Sequence, residues 1–417
     1  MIERGIGVVG IAVLIGIAWL ASTQRRAIRW GPVGIAFALQ LLIAAAVLRT
    51  QFGIRFFHAA NDLAVALIGA ADHGIEFVFG SWPSELLGPG GEPVQLPYVF
   101  AIRVLPIIIF LGSLFSILFH LGVVQRVVDW LARGLRVALR ISGAESLATI
   151  ANVFVGMSEA PLLIRPYVAG MTRSELFCVM VAGLATVAGS VLVAYVGLLG
   201  SDFAGHLIAA SFMSAPAAVA MAKIMVPEEG TPITLGGAPQ QLERETRNLI
   251  DAAAQGAAQG LQLALNVGAM LIAFVALVYL LDGLLLWAGD LVGLQGLSFE
   301  RLLGIALAPI AFLIGVPWAD APAVGSLLGI KTVLNEFLAY QQLAEQVARG
   351  GIEPRSAVIA SYALCGFANF GSLAILLGAL GGIAPSRRHD VARDGLRAIL
   401  AGSLATFVTG AIAGLLL

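Results

Sequence analysis

The sequence predicts an all-α, polytopic membrane protein. It should have about eight transmembrane helices, two re-entrant helical hairpins of opposite orientation forming an inverted repeat, and one amphipathic interfacial helix. Three observations carry that prediction. Of 417 residues, 59% are hydrophobic and only 12% charged, about half the charged fraction of a soluble domain. Apolar runs long enough to span a bilayer recur along the chain. Two further apolar segments, 146–168 and 320–340, are interrupted by Pro, Gly, Asn and a carboxylate.

The uninterrupted spans fall at 6–21, 32–48, 104–124, 177–199, 207–225, 261–287, 357–383 and 396–417. The first lacks a small-residue cleavage site and runs on into further spans, so it reads as a retained helix. Arg25, Arg26 and Arg29 mark the loop after it as cytoplasmic and place the N-terminus outside. The third span then ends inside, where "QRVVDWLARGLRVALR" begins. Its Arg126, Arg133, Arg136 and Arg140 share one helical face, opposite Val127, Leu131, Leu135 and Ala138, as in a helix lying in the membrane interface.

The arginines also decide how the interrupted segments run. If 146–168 dips in and returns, Arg165 and Arg173 stay cytoplasmic. So do the later pairs and clusters, Arg244 with Arg247 and Arg387 with Arg388 and Arg393. The segment 320–340 then enters and leaves on the outside, and 146–199 and 320–383 become repeats of opposite orientation.

Irregular backbone at membrane depth survives only inside protein or along a water-filled cavity. Paired broken helices in inverted repeats mark secondary transporters, with the site between them. "GLATVAGS" (183–190) and "GFANFGS" (366–372) are two such breaks, with Gly183, Gly189, Gly366 and Gly371 giving the backbone freedom. Small residues also serve close helix packing. Two breaks in matching positions, each following a carboxylate, favour a site.

Those carboxylates are Glu159 and Glu336, each an ionisable group that costs ~3 kcal/mol at the bilayer centre. Lys331, five residues before Glu336, either forms a structural pair with it or contacts the ligand directly, as Glu336 would. Asn369 and Ser372, with Glu336, offer donors and acceptors suited to vicinal hydroxyls. Phe367 and Phe370 could pack on a flat ring, so the set suits a small, neutral, hydroxylated ligand with a planar group. In the first half, Asn152 and Thr186 bring side-chain oxygens, and bent backbone near Val155 and Val187 can expose carbonyls. That all-oxygen set suits a monovalent hard cation.

Cys178 and Cys365 lie in apolar segments without metal-ligand spacing. The net charge of −1 points to no nucleic acid. His58, His73 and His120 are scattered. The sequence holds no nucleophile elbow, phosphate-cradling loop or His-Glu-x-x-His, which argues against an enzyme.

"GIKTVLNEF" (329–337) matches the Gly-x-Lys-x-x-x-Asn-Glu-Phe signature of concentrative nucleoside transporters. "SEAPLLIRPY", "MTRSEL", "ATVAGSVL" and "CGFANFGSLAILLG" are similar to that family in the same order. The chain resembles the family over nearly its whole length. The resemblance implies a nucleoside symporter of the cytoplasmic (inner) membrane, driven by sodium, with protons as the alternative coupling ion. A non-transporting nucleoside-binding receptor is the rival reading. It further implies a homotrimer in the lipid bilayer, whose transport domain moves like an elevator across a scaffold. The implied division is 1–124 scaffold, 125–145 interfacial helix, 146–226 first repeat, 227–258 polar loop, 259–290 scaffold and 291–417 second repeat.

By motif, the resemblance assigns Glu336, Asn369 and Ser372 to the ribose hydroxyls. Met157, Ser158 and Glu159, with Val191 and Phe367, face the base. Asn152, Val155, Thr186 and Val187 hold sodium, the valines through their carbonyls. Lys331 belongs to the motif without a substrate contact. Many family members have Gln-Thr-Glu where this chain has Met157, Ser158 and Glu159, so base preference is not inherited. Thr186 replaces a common serine and keeps its hydroxyl.

Overall fold

The computed structural model describes residues 2–80, 85–87, 93–95, 99–236, 246–291 and 293–417. Arg244, part of one expected arginine pair, lies outside them. The chain opens with α1 (Ile2–Leu20), α2 (Trp30–Arg49) and α3 (Gln51–Phe79), then a short antiparallel pair, β1 (Glu85–Leu87) and β2 (Pro93–Gln95). The helices α4 (Phe100–Arg103) and α5 (Leu105–His120) together make the third expected span, a few residues earlier than 104–124.

The sequence reading left α3 out, for a physical reason. Its buried seam is Gly53, Ala60, Ala64, Ala71 and Ile75, while Arg55, His58, Asp62, Asp72 and Glu76 occupy other positions around it. A helix buried along so narrow a stripe shows no long apolar run. Thr50 fixes its start by accepting from the Gly53 N–H at 3.3 Å.

The amphipathic helix is α6 (Val123–Leu139), but its buried face is corrected. Val124, Val128, Ala132, Leu135 and Leu139 pack inward, and of the four apolar residues expected there only Leu135 is buried. Val127, Trp130 (73% exposed) and Val137 (72%) form a second apolar face turned away from the protein. The helix is three-sided: protein, an outward apolar strip, and arginines.

The rest of the chain runs through one succession of elements twice. First come α7 (Gly143–Phe154), a break, a 3-10 turn (Ala160–Ile164) with α8 (Arg165–Val168), then α9 (Arg173–Ala185), a second break, α10 (Gly189–Leu199) and the long α11 (Ala204–Met225). After α12 (Leu249–Leu291) come α13 (Phe299–Leu313) and α14 (Ala321–Val333), a break, α15 (Glu336–Ala348), α16 (Pro354–Leu364), a break, α17 (Phe370–Ile383) and the long α18 (Arg388–Leu416). The helix α13, also unforeseen, packs against α14.

Local chemistry sets the boundaries. Capping boxes start α7 (Ser142 with Glu145) and α9 (Thr172 with Glu175). Gly156 turns the chain after α7 with φ +93, a conformation that residues with a Cβ rarely adopt. Asn335 and Asn369 cap α15 and α17.

Among the described residues, six helical stretches are long and apolar enough to cross a membrane: Trp30–Arg49, Phe100–His120, Arg173–Leu199, Ser201–Met225, Leu249–Leu291 and Pro385–Leu416. The first expected span corresponds to α1, and the span 357–383 is split between α16 and α17.

The core is built on α9, α11 and α18, whose faces are mostly buried. Against it lean α1, on α18, and α2, on α11. The pair α5 and α12 packs closely through glycines. A Cβ on Gly260 would come within 2.7 Å of the Ile108 carbonyl, and one on Gly112 within 2.6 Å of the Gly256 carbonyl.

Candidate functional site

The breaks converge on one cavity of about 990 Å³. The first half contributes Val155, Met157, Ser158, Glu159 and Val191; the second contributes Asn335, Glu336, Phe367, Asn369 and Ser372. All eight residues expected to hold substrate therefore line a single space. Phe370 does not line it and is half exposed.

Glu336 is the best-anchored group there. It opens α15 directly after its cap, where the helix N-terminus favours negative charge. Oε1 accepts from the Tyr195 hydroxyl at 2.9 Å and Oε2 from Asn369 Nδ2 at 2.7 Å. Asn369 has one possible orientation, because its Oδ1 already accepts from the Ser372 N–H at 2.8 Å. One lone pair on each Glu336 oxygen stays open. Glu159 differs: it lies on the irregular turn after Gly156, exposed to the cavity, whereas Glu336 is 4% exposed.

Lys331 forms no ion pair with Glu336. Its Nζ donates instead to the Ala363 carbonyl at 2.9 Å and to Thr406 Oγ1 at 2.7 Å. Both readings the sequence left open are corrected, since Lys331 neither pairs with Glu336 nor lines the cavity.

Of the expected cation residues, Val155 lines the cavity, while Asn152, Thr186 and Val187 are buried and do not. Asn152 is 1% exposed and lies against the last turn of α9, its Oδ1 3.5 Å from where a Gly183 Cβ would be. Its Nδ2 donates to the Ala148 carbonyl at 2.8 Å, leaving Oδ1 buried without a hydrogen-bond partner. Thr186 caps α9; its hydroxyl donates to the Ala182 carbonyl at 2.8 Å, so its lone pairs are free. Among the described residues no hydrogen bond reaches the carbonyls of Gly183, Leu184 or Ala185, the remaining end carbonyls of α9. Buried oxygens lacking donors are what a hard cation requires.

Sequence reasoning missed several groups, one behind the cavity wall and others lining it. Tyr195 gave no signal, being a lone tyrosine in an apolar run. Gln255, Gln259, Gln262 and Asn266 gave a clear one: their spacing makes a polar stripe on one face of α12, and all four line the cavity. Gln262 Nε2 donates to Asn266 Oδ1 at 3.0 Å. His120 joins them, its Nδ1 2.6 Å from Thr246 Oγ1.

Comparison with known proteins fits this geometry. Three family profiles match in tandem: "Na+ dependent nucleoside transporter N-terminus" over 9–82, "Nucleoside recognition" over 101–202, and "Na+ dependent nucleoside transporter C-terminus" over 206–414. Sodium/nucleoside cotransporter 1 of Mus musculus is 39% identical over 99% of this chain and 64% of its own length. The chain belongs to the concentrative nucleoside transporter family. An uncharacterized transporter of Bacillus subtilis, YutK, is 46% identical over 98% of each chain. Among solved structures, CNTnw in an inward-facing, substrate-bound state superposes with a TM-score of 0.91 at 42% identity, over 99% of this chain and 98% of that one. As a member of the family, this is a multi-pass membrane transporter of nucleosides and not an enzyme; in a bacterium its membrane is the inner one.

Proposed function

We propose that the protein is a sodium-coupled nucleoside symporter that imports its substrate by an elevator-type movement. The observation that carries this reading is the pairing of two chemistries across the breaks. Glu336, Asn369 and Ser372 present open acceptors and donors to a sugar diol in the cavity. Behind it, Asn152 Oδ1 and the end carbonyls of α9 form a buried oxygen set in need of a cation.

In this reading Met157, Ser158, Glu159, Val191 and Phe367 surround the base. Met157 can give it packing but no amide hydrogen bond. Val155 and Val187 add carbonyls to Asn152 and Thr186 around sodium, the co-transported ion. The mobile part comprises the two repeats, 146–226 and 291–417, moving across a scaffold of the first three crossings and α12. The α5–α12 pair is the firmest part of that scaffold; α1 and α2, which lean on α18 and α11, form its boundary. The bare apolar flank of α12, with Ile272, Tyr279, Leu280 and Trp287 exposed, gives a homotrimer and the lipid a surface to cover.

Nucleoside uptake into proteoliposomes tests the reading. An inward sodium gradient at equal pH should drive accumulation. Accumulation under a pH gradient alone would assign the coupling to protons, and saturable binding without counterflow would leave a receptor.

A further inference from the structure

The two breaks invite a direct comparison, because one shift of 179 residues relates them. It carries the last residue of α7, Phe154, to the last of α14, Val333, and the last of α9, Ala185, to the last of α16, Leu364. The same shift carries Asn152 to Lys331. The long helices α11 and α18 match at their own shift, 195 residues. Ser214 on α11 and Thr409 on α18 meet with their hydroxyl oxygens 3.4 Å apart. Three residues before each stand Ser211, bonded to the Val187 carbonyl at 3.1 Å, and Thr406, bonded to Lys331.

At these matched places the polar accounts differ. A helix leaves its last four carbonyls without intrahelical donors. At the end of α16 all four are satisfied. Ser361 O accepts from the Tyr340 hydroxyl at 2.8 Å, Tyr362 O from the Cys365 N–H at 3.2 Å, Ala363 O from Lys331 Nζ at 2.9 Å, and Leu364 O from the Gly366 N–H at 2.8 Å. At the end of α9 only Ala182 O has a donor.

Lys331 is wholly buried, and among the described residues no carboxylate lies within ion-pair distance of it. Its charge rests on a carbonyl at the negative end of α16, on Thr406, and on the Phe407 ring, whose centroid lies 5.7 Å away. Those are the partners of a bound cation rather than of a salt bridge.

We propose that the Lys331 ammonium is a tethered cation. It takes, at the break between α16 and α17, the place that sodium takes at the break between α9 and α10. The comparison rests on the sodium reading of the first break. One half of the fold thus keeps its break permanently charged and holds the "GFANFGS" segment in the shape that aims Asn369 at Glu336. The other half waits for an ion, which makes only that half responsive to the gradient. Lys331 is a positioning residue in this scheme and touches no substrate.

The test is radiolabelled uridine and adenosine binding to the purified full-length protein, titrated with sodium chloride against choline chloride. Lys331→Met removes the charge at similar volume and should weaken nucleoside binding about tenfold or more, at every sodium concentration. Lys331→Asn writes the first half's residue into the second. It should bind weakly at low sodium and recover at high sodium, with a steeper sodium dependence than the parent. Identical sodium titrations for the two variants, or parental binding in both, would overturn the proposal. If neither variant folds, Asn152→Lys decides: it should bind nucleoside without sodium, and a folded variant that binds at no sodium concentration overturns the idea. Failure of the sodium reading itself shows separately, as a parent protein indifferent to sodium.

Discussion

Replacing Glu336 by glutamine removes one charge and changes one atom, and the network around it dictates the consequence. Asn369 Nδ2 can only donate, and its amide cannot flip because Oδ1 is held by the Ser372 N–H. The new Oε1 must therefore face Asn369, and Nε2 must face the Tyr195 hydroxyl, which turns to accept. A glutamine so placed keeps one open lone pair where the carboxylate had two. A sugar diol loses one charge-assisted hydrogen bond, worth about 1.5–3 kcal/mol, and the survivor weakens to a neutral one, costing about 1 kcal/mol more. The total of about 2.5–4 kcal/mol predicts a nucleoside Kd roughly 60- to 700-fold higher in Glu336→Gln. Equilibrium binding of a tritiated nucleoside to purified protein measures it. Binding of 2′- and 3′-deoxynucleosides supplies the cycle, since a lost hydroxyl should matter much less in the variant than in the parent. A Kd within threefold of the parent, or a full deoxy penalty in the variant, would refute the ribose assignment.

Other perturbations follow from the same geometry. Tyr195→Phe strips one donor from a buried carboxylate and should lower stability by about 1.5–3 kcal/mol, read as a fall in melting temperature without nucleoside; an unchanged melting temperature would deny that bond a role. Thr186→Val keeps the shape and deletes an oxygen at the end of α9, so half-maximal uptake should need several-fold more sodium. An unmoved sodium requirement would relocate the ion. Gly260→Val drives a side chain into the α5 backbone at Ile108 and should cost about 1–3 kcal/mol or more in thermal stability. Retained stability would show that α5 and α12 separate freely.

Much of this site was legible because its chemistry is expensive in an apolar chain. Glu159, Glu336, Asn369 and Asn152 stand out in their runs, and the glycines beside them announce broken helices. The structure adds what single positions cannot reveal. Tyr195 and Glu336 are 141 residues apart, and nothing local to either names the other. Asn369 and Ser372 read as donors and acceptors for a ligand, and the structure shows a helix cap that engages the side-chain oxygen of Asn369 with the Ser372 N–H. On α6 the arginine face was readable, but a two-sided pattern cannot place the buried face of a helix with three environments. The stripe Gln255, Gln259, Gln262 and Asn266 lay in plain sight on α12; its residues are neutral, and an eye set for charges passes over them.

The account joins two events, cation capture behind the first break and nucleoside capture in front of the second. Thermodynamic linkage makes that joint directly measurable. Nucleoside affinity should be determined in sodium chloride and in matched choline chloride at one pH, and sodium affinity with and without nucleoside. The account predicts that each ligand tightens the other by the same factor. Nucleoside binding of equal strength in sodium and in choline would contradict it.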